Sequence, residues 1–295
     1  MIISDAIPRL IRPVMITAFE GWNNAGDAAT DAVDHLRQQL GAVRLAEIEP
    51  DEYYDFQVNR PHIHIDGEAR RITWPTTRFF SARAAANPTL HLPQWRASTV
   101  AREVRDLVLV AGVEPNMKWR SFCAEILELA AALDVELVVN MGSLLADVPH
   151  TRPVPTTAFA TDTAMIDSLD IQRTTYEGPT GIVGVLQQAC DVAGFKAMSL
   201  WAAVPHYVAN SPCPKATLAL LRRLEDVIDV TIPSGDLDAD ALAWQVGVDE
   251  MAAENSELSE YVGRLEQARD SEAIQETSGE VIAAEFERYL RRRDS

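Results

Sequence analysis

Residues 13–27, PVMITAFEGWNNAGD, decide the fold. Seven residues of nearly unbroken apolar character run into the turn signal Glu20-Gly21, the pattern of a strand buried on both faces. The loop from Gly21 to Gly26 leads directly into Ala28, Ala32, Val33, Leu36 and Leu40, which share one helical face, and Gly41 stops that helix. Strand, loop and helix in this order form the first unit of an α/β sheet.

The same unit recurs along the chain. Residues 42–48 read as a second strand, and residues 60–66 and 70–74 flank Asp66-Gly67-Glu68 as a hairpin. Residues 106–111, DLVLVA, are an apolar strand closed by Gly112, and Trp119, Phe122, Ile126, Leu127, Leu129 and Ala130 mark the helix after it. Residues 135–139 are a further strand ending at Asn140-Met141-Gly142, and residues 156–160 a short one. Gly178-Pro179-Thr180-Gly181 opens a helix, residues 197–204 form the last strand, and residues 214–227 the helix behind it. The alternation predicts an α/β fold with a mostly parallel sheet covered on both faces. Ligands of such sheets bind beyond the carboxyl ends of the strands. That places residues 20–27, 112–119, 142–152 and 204–207 at one candidate site.

Near Ser234-Gly235 the composition changes. Residues 236–295 hold 16 acidic and 6 basic side chains, a net charge of −10 out of −18 for the 295-residue chain. The division is therefore a core domain over residues 1–233 and an acidic helical region over 234–295. Leu242, Val246, Leu258, Tyr261, Val262 and Leu265 supply one apolar stripe of that region, broken by a turn near Glu254-Asn255-Ser256; Val281, Ile282, Phe286, Tyr289 and Leu290 supply another. The acidic balance argues against nucleic acid and against anionic membranes as partners, since both need a basic footprint. No uncharged apolar run approaches the ~20 residues of a membrane span. The first residues lack the basic and apolar segments of a signal peptide. Cys123, Cys190 and Cys213 are widely spaced with no C-x-x-C pair, as expected of reduced thiols in a cytoplasmic protein.

The candidate constellations each have a plain reading beside the sharp one. Gly21 and Gly26 have phosphate-loop spacing, but Asp27 and Ala28 stand where Lys and Ser/Thr would follow, so Asp27 reads as a helix N-cap that repels phosphate. His62, His64 and Asp66 alternate on one strand face and read as a polar hairpin surface rather than a metal site. Residues 178–181 read as a tight turn, or as backbone N–H groups presented to an anion. Ser143, Asp147, His150 and His206 make a hydrolytic triad only on paper, and no G-x-S-x-G elbow exists. Trp22, Trp74, Trp119 and Tyr207 sit near the loops as interface or core aromatics.

At these loops the sequence resembles a known family. The blocks are Phe19-Glu20-Gly21-Trp22-Asn23 with Gly26-Asp27-Ala28, Tyr53-Tyr54-Asp55-Phe56 with Arg60-Pro61, and Trp74-Pro75. They continue with Gly112-Val113-Glu114-Pro115 and Lys118-Trp119, residues 142–153 (GSLLADVPHTRP), Tyr176-Glu177-Gly178-Pro179-Thr180-Gly181 and Val204-Pro205-His206-Tyr207. In order and number they resemble the bacterial, actinobacterial-like branch of the proteasome assembly chaperone family, over roughly residues 10–230. The resemblance implies a three-layer αβα sandwich similar to purine nucleoside phosphorylase, with a C-terminal helical appendage. It also implies a cytoplasmic homotrimer without established enzymatic activity, acting on protein partners. Some relatives dock on proteasomes by a C-terminal hydrophobic–tyrosine–any motif, and Tyr289 lies too far from Ser295 to match it.

Two functional readings follow. The first is a non-enzymatic protein-binding protein that works as a homo-oligomer, with no catalytic residue, cofactor or metal. The second is an enzyme or anion binder using the cleft at the strand ends, with Glu20, Asn23, Glu114, Lys118, Arg120, His150, Arg152 and His206 as acid–base and anion-binding groups. Either way the binding candidates are Glu20, Trp22, Asn23, Asp27, Glu114, Lys118, Trp119, Arg120, His150, Arg152, Thr180, His206 and Tyr207.

Overall fold

The computed structural model describes residues 1–3, 7–67, 69–83, 105–169, 171, 173–209 and 212–276. In chain order the elements are β1 (Ile2–Ile3), β2 (Val14–Glu20), α1 (Ala28–Gln39), β3 (Val43–Glu47), β4 (His62–Asp66), β5 (Ala69–Thr73), β6 (Thr77–Ala82) and β7 (Leu107–Val113). Then come α2 (Trp119–Ala132), β8 (Leu137–Ala146), β9 (Thr156–Ala160), α3 (Thr163–Leu169), α4 (Ile182–Ala193), β10 (Ala197–Pro205), α5 (Pro214–Ile228), α6 (Leu237–Ala253) and α7 (Ser256–Glu276).

The main sheet has the order β1-β3-β6-β7-β2-β8-β10-β9, and β4 with β5 forms a separate two-stranded arm. Strands β7, β2, β8 and β10 are mutually parallel, and β6 and β9 flank them antiparallel. β3 pairs antiparallel with β6 and so points with the central block. The result is a mixed, mostly parallel α/β sheet. Alternation along β2 sends Val14, Ile16 and Ala18 to the layer of α1 and α5, and Met15 and Phe19 to the layer of α2 and α4. All five are at most 1% exposed, which is why the strand reads as apolar throughout. Phe19 meets Phe122 edge-on at 5.8 Å between ring centroids, and burial of each such ring contributes roughly 1.5–3 kcal/mol. The polar member Thr17 donates to Asn140 Oδ1 (2.9 Å), and Asn140 Nδ2 donates to Gln187 on α4 (3.0 Å), so neither amide nor hydroxyl is stranded in the core.

The structure departs from the sequence expectation at four places. β8 does not stop at Asn140-Met141-Gly142 but continues to Ala146, because β10 pairs with it along its length from Ala197 to Pro205. β6, a sheet strand holding Arg78, and the short α3 were not anticipated. Asp27 occupies the N-cap position of α1, yet its carboxylate makes no cap; Asn24 Oδ1 accepts from Thr30 N at 3.1 Å instead. In the acidic region the turn at Glu254-Asn255 is present, with Asn255 Oδ1 accepting from Glu257 N and Leu258 N (both 3.1 Å). The apolar stripe is as expected on α7, where Val262 is buried and Leu258, Tyr261 and Leu265 are half-buried, but not on α6. Leu242 and Val246 are 65% and 48% exposed, while Ala241, Val248, Ala252 and Val262 are buried. Small residues let α6 pack closely on α5, and Leu237 and Trp244 join the core beneath α1 and α5. The second stripe, Val281 to Leu290, lies outside the described residues.

Among the described residues no helix is long and apolar enough to cross a membrane. The three cysteines are free and buried, and burial pushes their thiols up to about 12, 12 and 11 for Cys123, Cys190 and Cys213.

Candidate functional site

Parallel strands carry their carboxyl ends to one rim, and the loops that follow them interlock there. Glu114 N donates to Glu20 O (3.0 Å), Ser143 N to Asn23 O (2.8 Å) and Cys213 N to Gly26 O (2.8 Å). Gly26 sits at φ +57, and a Cβ on it would lie 2.8 Å from that of Cys213, so only glycine fits this junction. The loop is therefore a structural knot over β8 and α5.

The α4 N-terminus opens on the same rim. Its residue Ile182 donates its N–H to Glu114 Oε1 at 2.7 Å, so a carboxylate of this chain stands where an external anion would sit. Asn23 Oδ1 is buried with no hydrogen-bond partner and lies where a Cβ of Gly181 would be, 2.0 Å away. Glu20 is pushed up from its ordinary value by loss of water first, then by Asp27 and Asp34, against the opposing pull of Arg78. Thr180 is exposed in the turn before α4. Glu20, Trp22, Asn23, Glu114 and Thr180 thus belong to one neighbourhood.

A second neighbourhood forms where α6 and α7 lie over the loops after β8 and β10. The imidazole of His150 is 1% exposed, with Nδ1 2.8 Å from Tyr207 Oη and Nε2 3.0 Å from Asp249 Oδ1 on α6. His150 N also donates to Tyr207 Oη at 2.8 Å. Lys215 donates to His150 O and, at 2.6 Å, to Gln245; burial pulls its ammonium below the usual lysine range. Arg152 grips Asp270 through two bonds of 2.8 Å and reaches Glu266 at 3.1 Å, which holds Asp270 below its ordinary value. His206 Nδ1 lies 3.2 Å from Asp147, whose carboxylate also accepts from Tyr261 (3.0 Å). Burial pushes Tyr207 up to about 12, the opposite of what a nucleophilic phenolate needs. His150 and Arg152 spend their polar atoms fastening the acidic helices, while Tyr207 holds His150 and His206 meets Asp147, which Tyr261 of α7 also reaches.

The remaining candidates lie at the start of α2. Lys118, in the left-handed region at φ 55, pairs with Glu52; Trp119 Nε1 donates to Pro115 O (2.6 Å); Arg120 is exposed. The loop beneath them is tied to the 50–59 segment by Asn116 N and Met117 N, both donating to Tyr53 O. His62, His64 and Asp66 lie on the exposed arm, and among the described residues no group of three or more His, Cys, Asp or Glu is arranged to hold a metal. The rim also carries apolar side chains in water. Trp22, Leu144, Leu145 and Tyr176 are 61%, 44%, 48% and 67% exposed. Sequence reasoning named Trp22 among these as a site residue. The signal for the two leucines is their place one and two residues beyond Ser143, whose N–H binds Asn23 O and so carries the strand alongside the Trp22 loop.

Similarity to known proteins covers most of the chain. The family model described as PAC2 matches residues 18–252. A PAC2 family protein from Streptomyces avermitilis is 55% identical, with 85% of this chain and 99% of that one covered and a TM-score of 0.75. A proteasome-assembly chaperone homologue from Mycobacterium tuberculosis is 50% identical over 84% and 99% of the two chains, with a TM-score of 0.72. An archaeal proteasome activator from Pyrococcus furiosus, 16% identical over 85% and 97%, shares the fold alone at a TM-score of 0.64. No curated protein sequence matches.

Proposed function

The chain belongs to the PAC2 family, and from that premise we propose that it is a non-enzymatic protein-binding protein, acting in the cytoplasm as a homo-oligomer, a trimer, with the phosphorylase-like core that the family resemblance implies. Its partner surface is the rim at the strand ends. The observation that carries this reading is the set of apolar side chains left in water there, Trp22, Leu144, Leu145 and Tyr176, around loops tied together by backbone hydrogen bonds. Exposed aromatic and aliphatic side chains on a rigid frame are what a protein interface uses as anchors. The neighbouring candidates Glu20, Asn23, Asp27, Glu114, Lys118, Trp119, Arg120 and Thr180 form the polar surround of that surface. The Mycobacterium relative makes a proteasome subunit the first partner to try. Acid–base chemistry is the weaker reading, because His150 and Arg152 are engaged by the acidic helices and His206 by Asp147.

Support for self-association comes from the β4–β5 arm. Ile63, Ile65 and Ile72 are 50%, 81% and 53% exposed on it, and a lone two-stranded sheet is marginal in water.

The test is binding of purified chain to isolated proteasome α and β subunits from the organism that encodes it, by calorimetry, with Trp22→Ala, Leu144→Asp and Tyr176→Ala as rim variants. Micromolar or tighter binding (about −8 kcal/mol), weakened at least tenfold by the rim variants, supports the proposal. Binding that the rim variants leave unchanged, or none at micromolar concentration, overturns it.

A further inference from the structure

Helix α6 is apolar on both sides. Its core side, which packs on α5, carries the buried Ala241, Val248 and Ala252 with Trp244 half-buried beside them. On the opposite side Ala239, Leu242, Ala243, Val246 and Ala253 are all exposed, Leu242 by 65% and Val246 by 48%. About 3.6 residues make a turn, so Leu242 and Val246 stand one above the other with the alanines around them. A surface helix ordinarily gives its outer side to polar residues. Gly247 adjoins this side. A Cβ built on it meets nothing within 4 Å, so no contact inside the chain accounts for a residue that weakens a helix interior relative to alanine.

The charges around this side all have one sign. Among its 17 residues α6 has the carboxylates Asp238, Asp240, Asp249 and Glu250 and no lysine or arginine, and Asp236 and Glu254 adjoin its ends. The cations that reach the helix are Arg222 on Asp238, Lys215 on Gln245 and His150 on Asp249, all along the border toward the core. The carboxylates of Asp240, Glu250 and Glu254 make no hydrogen bond or ion pair among the described residues. Glu250 and Glu254 also stand at the C-terminal end of the helix, where the macrodipole is already negative. Within the chain that arrangement costs stability. A cation brought from outside is attracted by the carboxylates and by the helix end together. The α6 of a second copy would bring the same carboxylates and be repelled.

We propose that the outer side of α6 docks a basic amphipathic helix of another protein, its apolar side over Leu242 and Val246 and its lysines or arginines against Asp240, Glu250 and Glu254. The small residues at 239, 243 and 247 let the two backbones approach closely, and the carboxylates set which helices are accepted. This surface is additional to the rim and holds whether or not the rim binds a proteasome subunit.

Fluorescence anisotropy tests it, with the full chain and a labelled synthetic helix of leucine and lysine at physiological salt, where purely charge-driven contacts are screened. The probe binds with a micromolar dissociation constant. Leu242→Ser/Val246→Ser and Glu250→Lys/Glu254→Lys each weaken it at least tenfold, and the second pair does not lower the melting temperature, because lysine suits a helix C-terminus. Asp51→Lys/Glu128→Lys, the same change of charge at exposed positions elsewhere, shifts the affinity less than twofold. No binding, equal binding of a scrambled peptide of the same composition, or equal weakening by Asp51→Lys/Glu128→Lys overturns the proposal. So does a tenfold gain in probe affinity on Arg291→Ala/Arg292→Ala/Arg293→Ala, which assigns the surface to the chain's own C-terminal arginines.

Discussion

Replacing His150 by alanine probes the join between the core and the acidic helices. The imidazole is almost wholly buried, so its removal leaves a cavity and strips its contacts, about 2 kcal/mol at the lower end for large-to-alanine changes. The ring is satisfied as the Nε2–H tautomer, with Tyr207 O–H donating to Nδ1 and Nε2–H donating to Asp249. Alanine takes both bonds away. Tyr207 keeps the bond from His150 N, and Asp249, 48% exposed, regains water, so the polar loss is about 1 kcal/mol. The sum is about 3 kcal/mol, a fall in melting temperature of roughly 6–12 °C for a cooperative unit of this size. Thermal unfolding by circular dichroism reads the total. Amide hydrogen exchange reads its location, with protection lost first in α6, where Asp249 lies, and in α7 beside it. Asp249→Asn keeps an acceptor for Nε2–H and costs under ~1 kcal/mol. A loss below ~1 kcal/mol for His150→Ala, or exchange that quickens in β2 as much as in α6, would refute the reasoning.

Three further outcomes follow from the same geometry. Asp31 is pushed up to about 6 by loss of water first and then by Asp27 and Asp34. Folding therefore favours its protonated form, and the charged form costs stability as pH rises from the ordinary value of 3.8 through about 6. Asp31→Asn should stabilise by up to ~1 kcal/mol at pH 7.5, given its exposure, with the gain gone at pH 3.5; urea midpoints at the two pH values check this. Glu114→Ala removes the carboxylate that caps α4 and should cost ~1–2 kcal/mol, seen as faster exchange at Ile182 and Val183. Gly142→Ala puts a Cβ 2.6 Å from the Trp201 ring and should cost ~1–3 kcal/mol together with a changed tryptophan fluorescence spectrum; an unperturbed spectrum contradicts the packing described.

Much of the fold was legible because burial on both faces writes itself into consecutive residues. β2 and β7 are read off residues 13–19 and 106–111 with errors of one residue or two at their ends. β6 was not, since it carries Arg78 and follows Trp74-Pro75, and an antiparallel neighbour of the central block need not be apolar on both faces. The rim was legible as a set of loops because parallel strands must deliver their ends together. Which side chains work within it was not. Glu114, read as an acid–base group, caps a helix, and His150, read as a cleft residue, holds α6. The facing of α6 was misjudged for the same reason, as Leu242 and Val246 look like a core stripe until α5 presents a surface that accepts alanines closely.

By itself the amino-acid order determined the layers, the direction of the chain through most of them and the kinship carried by the loops. Those depend on hydrophobic spacing and turn chemistry within a few residues of one another. Tertiary structure alone decided which charge meets which: His150 finds Asp249 across 99 residues and Thr151 finds Glu266 across 115. A polar side chain is satisfied by any partner of suitable chemistry within about 3 Å, so its local sequence leaves the choice open until the folded backbone brings one partner into range.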